Sequence, residues 1–390
     1  MHWYTSMKQQ PLAAITGVAS GFIAGAGRLD ALDMIAHVAS AAAHDAGVPL
    51  HRVDGLFAGM QTEFLSTLAI GEYLGLRPRF SDNNRVGGSS FLAHVQQAAL
   101  ALEAHECDVV LICYASNQRS ALGKLQTSVA ANWSAVETPY KARFPVSSYA
   151  LAAARHMHEY GTTREHLAAV AVSARQWAQK NPEAFARDPI TVADVLASPM
   201  VSSPLGRLDC CLVTDGAAAL ILRRADEVGD GSREPVYVLG SAGEHWHKAI
   251  SSMSDLTTTA ATASSERAFA QARLTTKDID VVQLYDAFTI NTIVLLEDLG
   301  FCPKGEGGRF IADGNIAPGG RLPVNTNGGG LSFAHPGMYG LFTLVEASRQ
   351  LRGECGERQV AGATTALCQG SGGVFSSQVT TILGTADALN

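Results

Sequence analysis

Two stretches of the chain follow one pattern, NNRVGGSSFLAH at residues 83–94 and NTNGGGLSFAH at residues 325–335. Each combines Asn, consecutive glycines, Ser-Phe and Ala-His at the predicted start of a helix. Each helix leads into an apolar strand, DVVLICYAS in the first copy and QVAGATTALC in the second. Because chance does not readily produce a match of this length and order, the sequence predicts a duplicated α/β unit. Ligands of open α/β units collect beside helix N-termini, so we expect both glycine-rich loops to line one cleft.

Strands alternate with helices in the first copy. LAAITGVAS and VDGLFAGM are typical of strands, and the segment between them has apolar residues at helical spacing, with Asp30 at its start and Gly47 at its end. This alternation predicts an α/β fold with a mainly parallel sheet.

Changes in composition along the chain predict the domain boundaries. Residues 117–205 are mostly helical segments with Pro-rich and Ser-rich joints, which indicates a helical insertion over the first unit. The linker ADEVGDGSREP then divides the chain near residue 230. We therefore predict an N-terminal α/β domain at residues 1–230, which contains the insertion, and a C-terminal α/β domain at residues 231–390.

Composition narrows the class of protein. The chain has 390 residues, 47% of them hydrophobic, which is enough for two cores. A net charge of −7 without a long basic run argues against nucleic acid as a partner. No apolar run reaches the roughly 18–20 residues of a membrane span, and the N-terminus does not resemble a secretory signal. We therefore expect a cytoplasmic protein.

The cysteines and histidines do not suggest a metal site. The seven cysteines are scattered without a CxxC pair, and a reducing compartment disfavours disulfides. The adjacent Cys210 and Cys211 are interpreted as structural. His245 and His247 in EHWHK are two residues apart and have no third ligand nearby, so no metal is predicted.

Several motifs carry a family resemblance. NTNGGGLSFAHPGMYG, LDCCLVTDGAAALIL, LYDAF and LCQGSGG occur in order and resemble signature stretches of the thiolase superfamily. ARHMHEYGTTREHLAAVAVSAR at residues 154–175 resembles its sterol-carrier-protein type. The resemblance implies a duplicated α/β fold in five layers (αβαβα) with a helical loop domain. It also implies a homodimer core and a coenzyme A thioester as substrate, with no other cofactor.

The chain departs from the thiolase pattern at the position of the nucleophilic cysteine. That cysteine belongs in the first Gly/Ser loop, where this chain reads RVGGSSFLAH and the matching position is about Gly87. Acyl transfer through a thioester intermediate needs a thiolate. Ser89 or Ser90 could replace it only with an activating base. Ordinary Claisen chemistry is therefore disfavoured.

Two tyrosines are the second departure. In LYDAF, Tyr285 replaces the Asn or His that helps to hold the thioester oxygen in thiolases, and the shortened loop HPGMYG puts Tyr339 on its rim. These features resemble the thiolase-like aldolases of steroid side-chain degradation, which cleave a β-hydroxyacyl-CoA into a ketone or aldehyde and a shorter acyl-CoA. That branch implies a small partner protein with an OB-fold and a zinc-ribbon-like part, often associated with a hydratase.

A retro-aldol cleavage needs a base for the β-hydroxyl, donors for the enolate oxygen and an acid for the α-carbon. We predict Tyr285 and Tyr339 as the acid/base pair, provided that local dipoles lower a phenol pKa towards the working pH. The sequence does not decide which of them is the base. Cys368 matches the second thiolase cysteine and either moves a proton or is a relic. His335 and the glycine-rich loops are predicted to bind the oxyanion and substrate, with loop positions Gly87, Ser89, Ser90, Gly329, Gly330 and Gly372.

Two alternatives stay open at this point. The first is a thiolase or acyl-CoA acyltransferase that works through Ser89, Ser90 or a cysteine supplied by the fold. The second is a non-catalytic lipid-binding or scaffold subunit, in which Tyr285 and Tyr339 only pack and His335 only begins a helix.

Overall fold

The computed structural model describes residues 10–61, 63–122, 135–228 and 233–389. The predicted boundary near residue 230 lies outside these ranges, so the division of the chain there stays a prediction. The strands are β1 Ala13–Gly21, β2 Gly55–Ala58, β3 Phe80–Asp82, β4 Val109–Ser116, β5 Met200–Ser202, β6 Leu205–Gly206, β7 Gly216–Arg223, β8 Val236–His245, β9 Val281–Leu284, β10 Thr365–Gly372 and β11 Ser377–Gly384. The helices are α1 Ala31–Asp45, α2 Ser66–Leu74, α3 Ser90–Glu103, α4 Gln118–Leu122, α5 Val146–Tyr160, α6 Arg164–Gln179, α7 Val192–Ala197, α8 Ala261–Ala272, α9 Thr289–Asp298, α10 Gly307–Ala312 and α11 Gly340–Leu351.

The predicted duplication is visible in the strand order β3-β2-β4-β7-β1-β8-β11-β10-β9. In the first half β1 pairs with β7 and β7 with β4, both antiparallel, and β4 pairs with β2 in parallel. In the second half β8, β11, β10 and β9 repeat the same sequence of directions. The two halves join where Ala13–Ile15 of β1 pair with Val236–Val238 of β8.

The prediction of a mainly parallel sheet is wrong. Among the described strands of this sheet, only the pairs β2–β3, β2–β4 and β9–β10 are parallel. The chain leaves β4, forms the insertion and returns as β7 antiparallel to it, while a short turn joins β10 to β11. A tight turn can connect only antiparallel neighbours, because a parallel pair needs a crossover.

The helices form layers above, between and below the two half-sheets. Helix α1 packs on β1, β4 and β7 on one outer side, and α8 packs on β8 and β11 on the other. Helix α3 contacts β2 and β4 of the first half as well as β8 and β10 of the second, and α11 likewise contacts strands of both halves. This is the predicted five-layer arrangement. Helix α3 begins directly after the first of the two glycine-rich loops, but α11 begins only at Gly340, so the prediction that His335 lies at the start of the second helix is wrong.

The insertion braces the second of these loops. From α6, Arg175 Nε donates to Ser332 Oγ at 2.9 Å. After the helix, Asn181 Nδ2 donates to the carbonyl of Asn327 at 3.0 Å. These contacts hold the π-helical turn Gly329–Phe333 just before His335. Within the described residues, no helix is long and apolar enough to span a membrane.

Candidate active site

A cavity of about 580 Å³ lies where the insertion meets the two glycine-rich loops. This volume is within the usual range for small-molecule sites. Polar groups occupy part of the wall, including Tyr285, His335, Ser377 and His245. Much of the remaining wall is apolar and includes Val86, Phe144, Pro145, Tyr149, Ala287, Phe288 and Met338.

Tyr285 and His335 meet in this cavity. Tyr285 follows the last residue of β9, and its hydroxyl lies 2.9 Å from Nε2 of His335. The backbone of His335 is fixed on both sides, since its N–H donates to Thr214 Oγ1 at 3.0 Å and its carbonyl accepts from Gln118 Nε2 at 2.9 Å. The structure therefore brings together one predicted tyrosine and the predicted histidine.

Burial sets the protonation of this pair. It raises the pKa of Tyr285 well above 10 and lowers the pKa of His335 to about 4. The expectation that local dipoles lower the phenol pKa is therefore wrong for this state of the protein. Both groups are neutral near pH 7, so Nε2 of His335 can accept the hydroxyl hydrogen of Tyr285. Tyr285 can then take a proton from a ligand as it passes its own to His335.

The phenol ring of Tyr285 occupies the space where a side chain at residue 88 would lie. A Cβ atom built on Gly88 would be 1.8 Å from Cε2 of Tyr285. The neighbouring Gly87 has a φ of +87°, and its Cβ would be 2.7 Å from Cα of Gly372. The sequence placed the missing cysteine at about Gly87, whereas the geometry identifies Gly88 as the position that faces the phenol. No cysteine fits at either position beside this tyrosine.

Tyr339 and Cys368 lie behind the cavity wall. Tyr339 is fully buried, with its ring edge-on to that of Tyr285 at 5.9 Å and its hydroxyl donating to Asn327 Oδ1 at 2.9 Å. Cys368 is fully buried in β10, and its thiol donates to the carbonyl of Thr343 at 3.5 Å. Burial raises the pKa of both side chains. Neither is among the described residues that line the cavity, and their catalytic roles stay predictions.

Two of the predicted oxyanion donors are already engaged. The N–H of Gly329 donates to Asn327 Oδ1 at 2.8 Å, and that of Gly330 donates to Asp286 Oδ1 at 2.6 Å. Asp286 is 1% exposed, and burial raises its pKa to about 7. These interactions shape the turn before His335. They leave the two N–H groups turned away from a ligand.

The predicted serines Ser89 and Ser90 are fully buried and are not among the described residues that line the cavity. Ser90 Oγ accepts the N–H of Val86 at 2.9 Å at the start of α3. Ser89 Oγ lies 2.7 Å from Ser377 Oγ, and Ser377 Oγ lies 2.7 Å from Nδ1 of His245. Ser377 and His245 face each other across β11 and β8 and both line the cavity.

Sequence reasoning missed this Ser377–His245 pair. The segment EHWHK drew attention only as a possible metal site, and Ser377 lies 132 residues away from His245. The described residues contain no group of three or more His, Cys, Asp or Glu side chains able to hold a metal ion.

The fold also brings one cysteine to the cavity, as the thiolase alternative requires. Cys211, interpreted from the sequence as structural, lines the wall near Tyr285. Burial raises the pKa of its thiol well above 9, and the neighbouring Cys210 and Asp286 raise it further. A protonated thiol is a poor nucleophile, because the reactive form is the thiolate.

Comparisons with known proteins agree with this architecture. Residues 242–385 match the family model described as "Thiolase C-terminal domain-like". An acetyl-CoA acetyltransferase of Methanothermobacter thermautotrophicus is 37% identical over 350 residues, which cover 87% of this chain and 91% of that protein. The 17-hydroxy-3-oxo-4-pregnene-20-carboxyl-CoA lyase of Mycobacterium tuberculosis is 34% identical over 387 residues, which cover 94% and 97%. The solved Ltp2-ChsH2(DUF35) aldolase superposes with a TM-score of 0.88 at 32% identity and covers 98% of this chain and 100% of that one. The chain belongs to the thiolase superfamily.

Proposed function

We propose that this chain is a thiolase-like carbon–carbon lyase. Its substrate is a bulky β-hydroxyacyl-CoA, such as one with a steroid side chain, and it forms a ketone or aldehyde and a shorter acyl-CoA. One observation carries the proposal: the phenol ring of Tyr285 fills the side-chain space of Gly88 and hydrogen-bonds His335. The lyase and aldolase among the relatives support the same reaction and the steroid substrate class.

The cleavage requires only proton transfers and one bond rearrangement. The β-hydroxyl of the substrate gives its proton to the Tyr285 oxygen while Tyr285 passes its own proton to Nε2 of His335. The Cα–Cβ bond breaks as the carbonyl forms at Cβ, and its electron pair moves into the thioester as an enolate. The α-carbon then takes a proton. No covalent enzyme intermediate forms, which agrees with glycine at residues 87 and 88.

The enolate oxygen needs donors that remain free. We assign this role to backbone N–H groups of the turn Gly87–Ser89, because its residues Gly87 and Gly88 line the cavity and it leads into α3. The positive end of the α3 dipole favours a developing negative charge there. The role we assign to the other predicted glycines is structural: close packing around the turns that border the cavity, at Gly329, Gly330 and Gly372.

The predicted assembly is also a proposal. The solved relative carries the name of a second component, ChsH2(DUF35). We propose that this chain forms a homodimer core in the cytoplasm and binds a small OB-fold partner with a zinc-ribbon-like part. Co-purification of the chain with such a partner, followed by mass measurement of the complex, tests the assembly.

The reaction is tested with a steroid β-hydroxyacyl-CoA and mass-spectrometric detection of the ketone and the shorter acyl-CoA. Tyr285→Phe is expected to lower turnover by a factor of about 10²–10⁴, the usual contribution of a general base. Tyr237→Phe, a half-buried tyrosine of β8 outside the cavity, is the matched control and should retain activity.

Two outcomes would contradict the proposed function. Thiolytic products from a β-ketoacyl-CoA and free CoA, without any lyase products, would favour the thiolase alternative. A Tyr285→Phe/Tyr339→Phe double variant that keeps the full activity of the assembly would favour a scaffold.

A further inference from the structure

We propose that Ser377, backed by His245, delivers the proton to the α-carbon after bond cleavage. This inference rests on the proposed retro-aldol function and assigns the one step that Tyr285 and His335 leave open. Ser377 is the residue that touches the reacting carbon, and His245 positions and reloads it.

The geometry of the pair fits a proton donor. Ser377 is 4% exposed and lines the cavity, and its Oγ lies 2.7 Å from Nδ1 of His245. The same Oγ lies 2.7 Å from Oγ of Ser89, and a hydrogen bond donated by Ser89 to Ser377 leaves the Ser377 hydrogen free for a ligand. Ser377 is thus held between a partner that can supply its hydroxyl proton and a second hydroxyl that fixes its orientation.

The two proton-transfer pairs flank one short turn. The ring of Tyr285 packs on Gly88, and the next residue, Ser89, bonds Ser377. A thioester whose oxygen sits at this turn would therefore have Tyr285–His335 on one side and Ser377–His245 on the other. A retro-aldol reaction needs two such groups at the two ends of the bond that breaks.

The other candidate donors of the α-carbon proton are less well placed to reach the substrate or to be reprotonated. The hydroxyl of Tyr339 is bound to Asn327 and the thiol of Cys368 to Thr343, both behind the cavity wall. Cys211 lines the cavity as a partly exposed thiol whose raised pKa disfavours the thiolate, and its described hydrogen bonds include none from its side chain to a base. His245, by contrast, is exposed at the end of β8 and can take protons from solvent.

Protonation of the α-carbon moves one proton from Ser377 to the enolate and replaces it from His245. The electron pair of the enolate forms the new C–H bond with the hydroxyl hydrogen of Ser377. The Ser377 oxygen takes a proton from Nδ1 of His245, and the exposed ring of His245 regains a proton from solvent. On the opposite side, His335 returns the proton of the β-hydroxyl through Tyr285 to water that enters after product release.

The half-reaction at the α-carbon isolates this step. The full-length chain is incubated with acetyl-CoA in D₂O, and α-deuterium incorporation is followed by mass spectrometry alongside cleavage of the β-hydroxyacyl-CoA. Ser377→Ala is expected to slow exchange by a factor of about 10² or more. Ser377→Thr should restore most of it because it keeps a hydroxyl. His245→Ala should be slow and should recover with added imidazole.

Ser241→Ala is the matched structural control. Ser241 makes the same kind of hydroxyl contact between β8 and β11, to Thr381 Oγ1 at 3.0 Å, but does not line the cavity. Exchange equal to wild type in this variant, with slow exchange in Ser377→Ala at the same melting temperature, would support the inference.

Specific outcomes would overturn it. Ser377→Ala that exchanges like wild type, while Tyr339→Phe or Cys211→Ala does not, would assign the step to another residue. Cleavage without any wild-type exchange would also refute a proton path through Ser377. Absence of both cleavage and exchange would instead refute the proposed lyase function, so the two failures are distinguishable.

Discussion

Replacing Gly88 by alanine is expected to lower turnover by at least about a hundredfold although it removes no polar group. The added Cβ would lie 1.8 Å from Cε2 of Tyr285 and 2.5 Å from its Cδ2 and Cζ. Non-bonded carbons rest at about 3.5–4.0 Å, so the ring has to move by about 1.7–2.2 Å. The Tyr285–His335 bond of 2.9 Å would then exceed hydrogen-bond range.

The size of the effect follows from that lost bond. Removal of a general base costs about 10²–10⁴ in rate, or about 2.7–5.5 kcal/mol of transition-state stabilisation. Overpacking adds a typical penalty of about 1–3 kcal/mol to the folded state. We therefore expect Gly88→Ala to fold with a lowered melting temperature and to lose at least about a hundredfold in kcat/KM.

The assay compares kcat/KM and denaturant unfolding for Gly88→Ala, Tyr285→Ala and the double variant. Gly21→Ala is the control, since a Cβ at Gly21 meets nothing within 4 Å. In the Tyr285→Ala background the stability cost of Gly88→Ala should largely disappear, because the ring it displaces is gone. Gly88→Ala with kcat/KM near wild type, or the same stability cost in both backgrounds, would refute the packing argument.

Three further results are expected. Cys211→Ser should keep cleavage within about threefold of wild type, because a protonated thiol with a raised pKa takes no part in a non-covalent mechanism; a larger loss in the lyase assay would implicate this residue. Burial lowers the pKa of His94 to about 3, so below pH 6.5 the unfolded chain binds a proton at this residue that the folded chain does not bind. This difference lowers the free energy of unfolding by about 1.4 kcal/mol per pH unit. His94→Leu removes the difference and should make the pH dependence less steep. Asp286→Asn should change the slope in the opposite direction, since burial raises the pKa of that carboxyl to about 7 and the stabilising contribution of Asp286 is lost as pH rises from about 4 to about 7. Urea unfolding between pH 4 and pH 7.5 measures both slopes, and an unchanged slope in either variant would contradict its assignment.

The spacing of apolar residues and the residues at helix ends were enough to predict most helices and strands. Asp30 begins α1 with a capping box, as its position before an apolar helical repeat indicates. The repeated Asn-Gly-Ser-Phe-Ala-His pattern correctly indicated two equivalent α/β units. The first loop lines the cavity with Gly87 and Gly88, whereas the second contributes His335 and not its consecutive glycines. Strand direction was not readable, because it depends on how the chain returns from the insertion after β4.

The candidate site was predictable where residues lie near the repeated motifs. Tyr285 and His335 were found because each belongs to a recognisable motif, Tyr285 directly after a strand and His335 just after a glycine-rich turn. Ser377 and His245 were missed because only the β8–β11 register brings them together. The position of Tyr339 also depends on packing, since its hydroxyl turns inward to Asn327.

The protonation states of the cavity favour proton transfer over covalent chemistry. In thiolase chemistry a thiolate has to exist, yet burial keeps Cys211 in its thiol form, and the position of the missing cysteine is filled by a phenol ring. Burial keeps the Tyr285 phenol and the His335 imidazole neutral in the resting site. The relay of a substrate proton through Tyr285 turns His335 into an imidazolium, which burial disfavours, so the negative charge of the enolate has to form at the same time to offset it. A low dielectric penalises a stored charge far more than a concerted shift of hydrogens. Burial therefore disfavours a cysteine thiolate but still permits a concerted tyrosine–histidine relay, so one fold can support either acyl transfer or carbon–carbon cleavage.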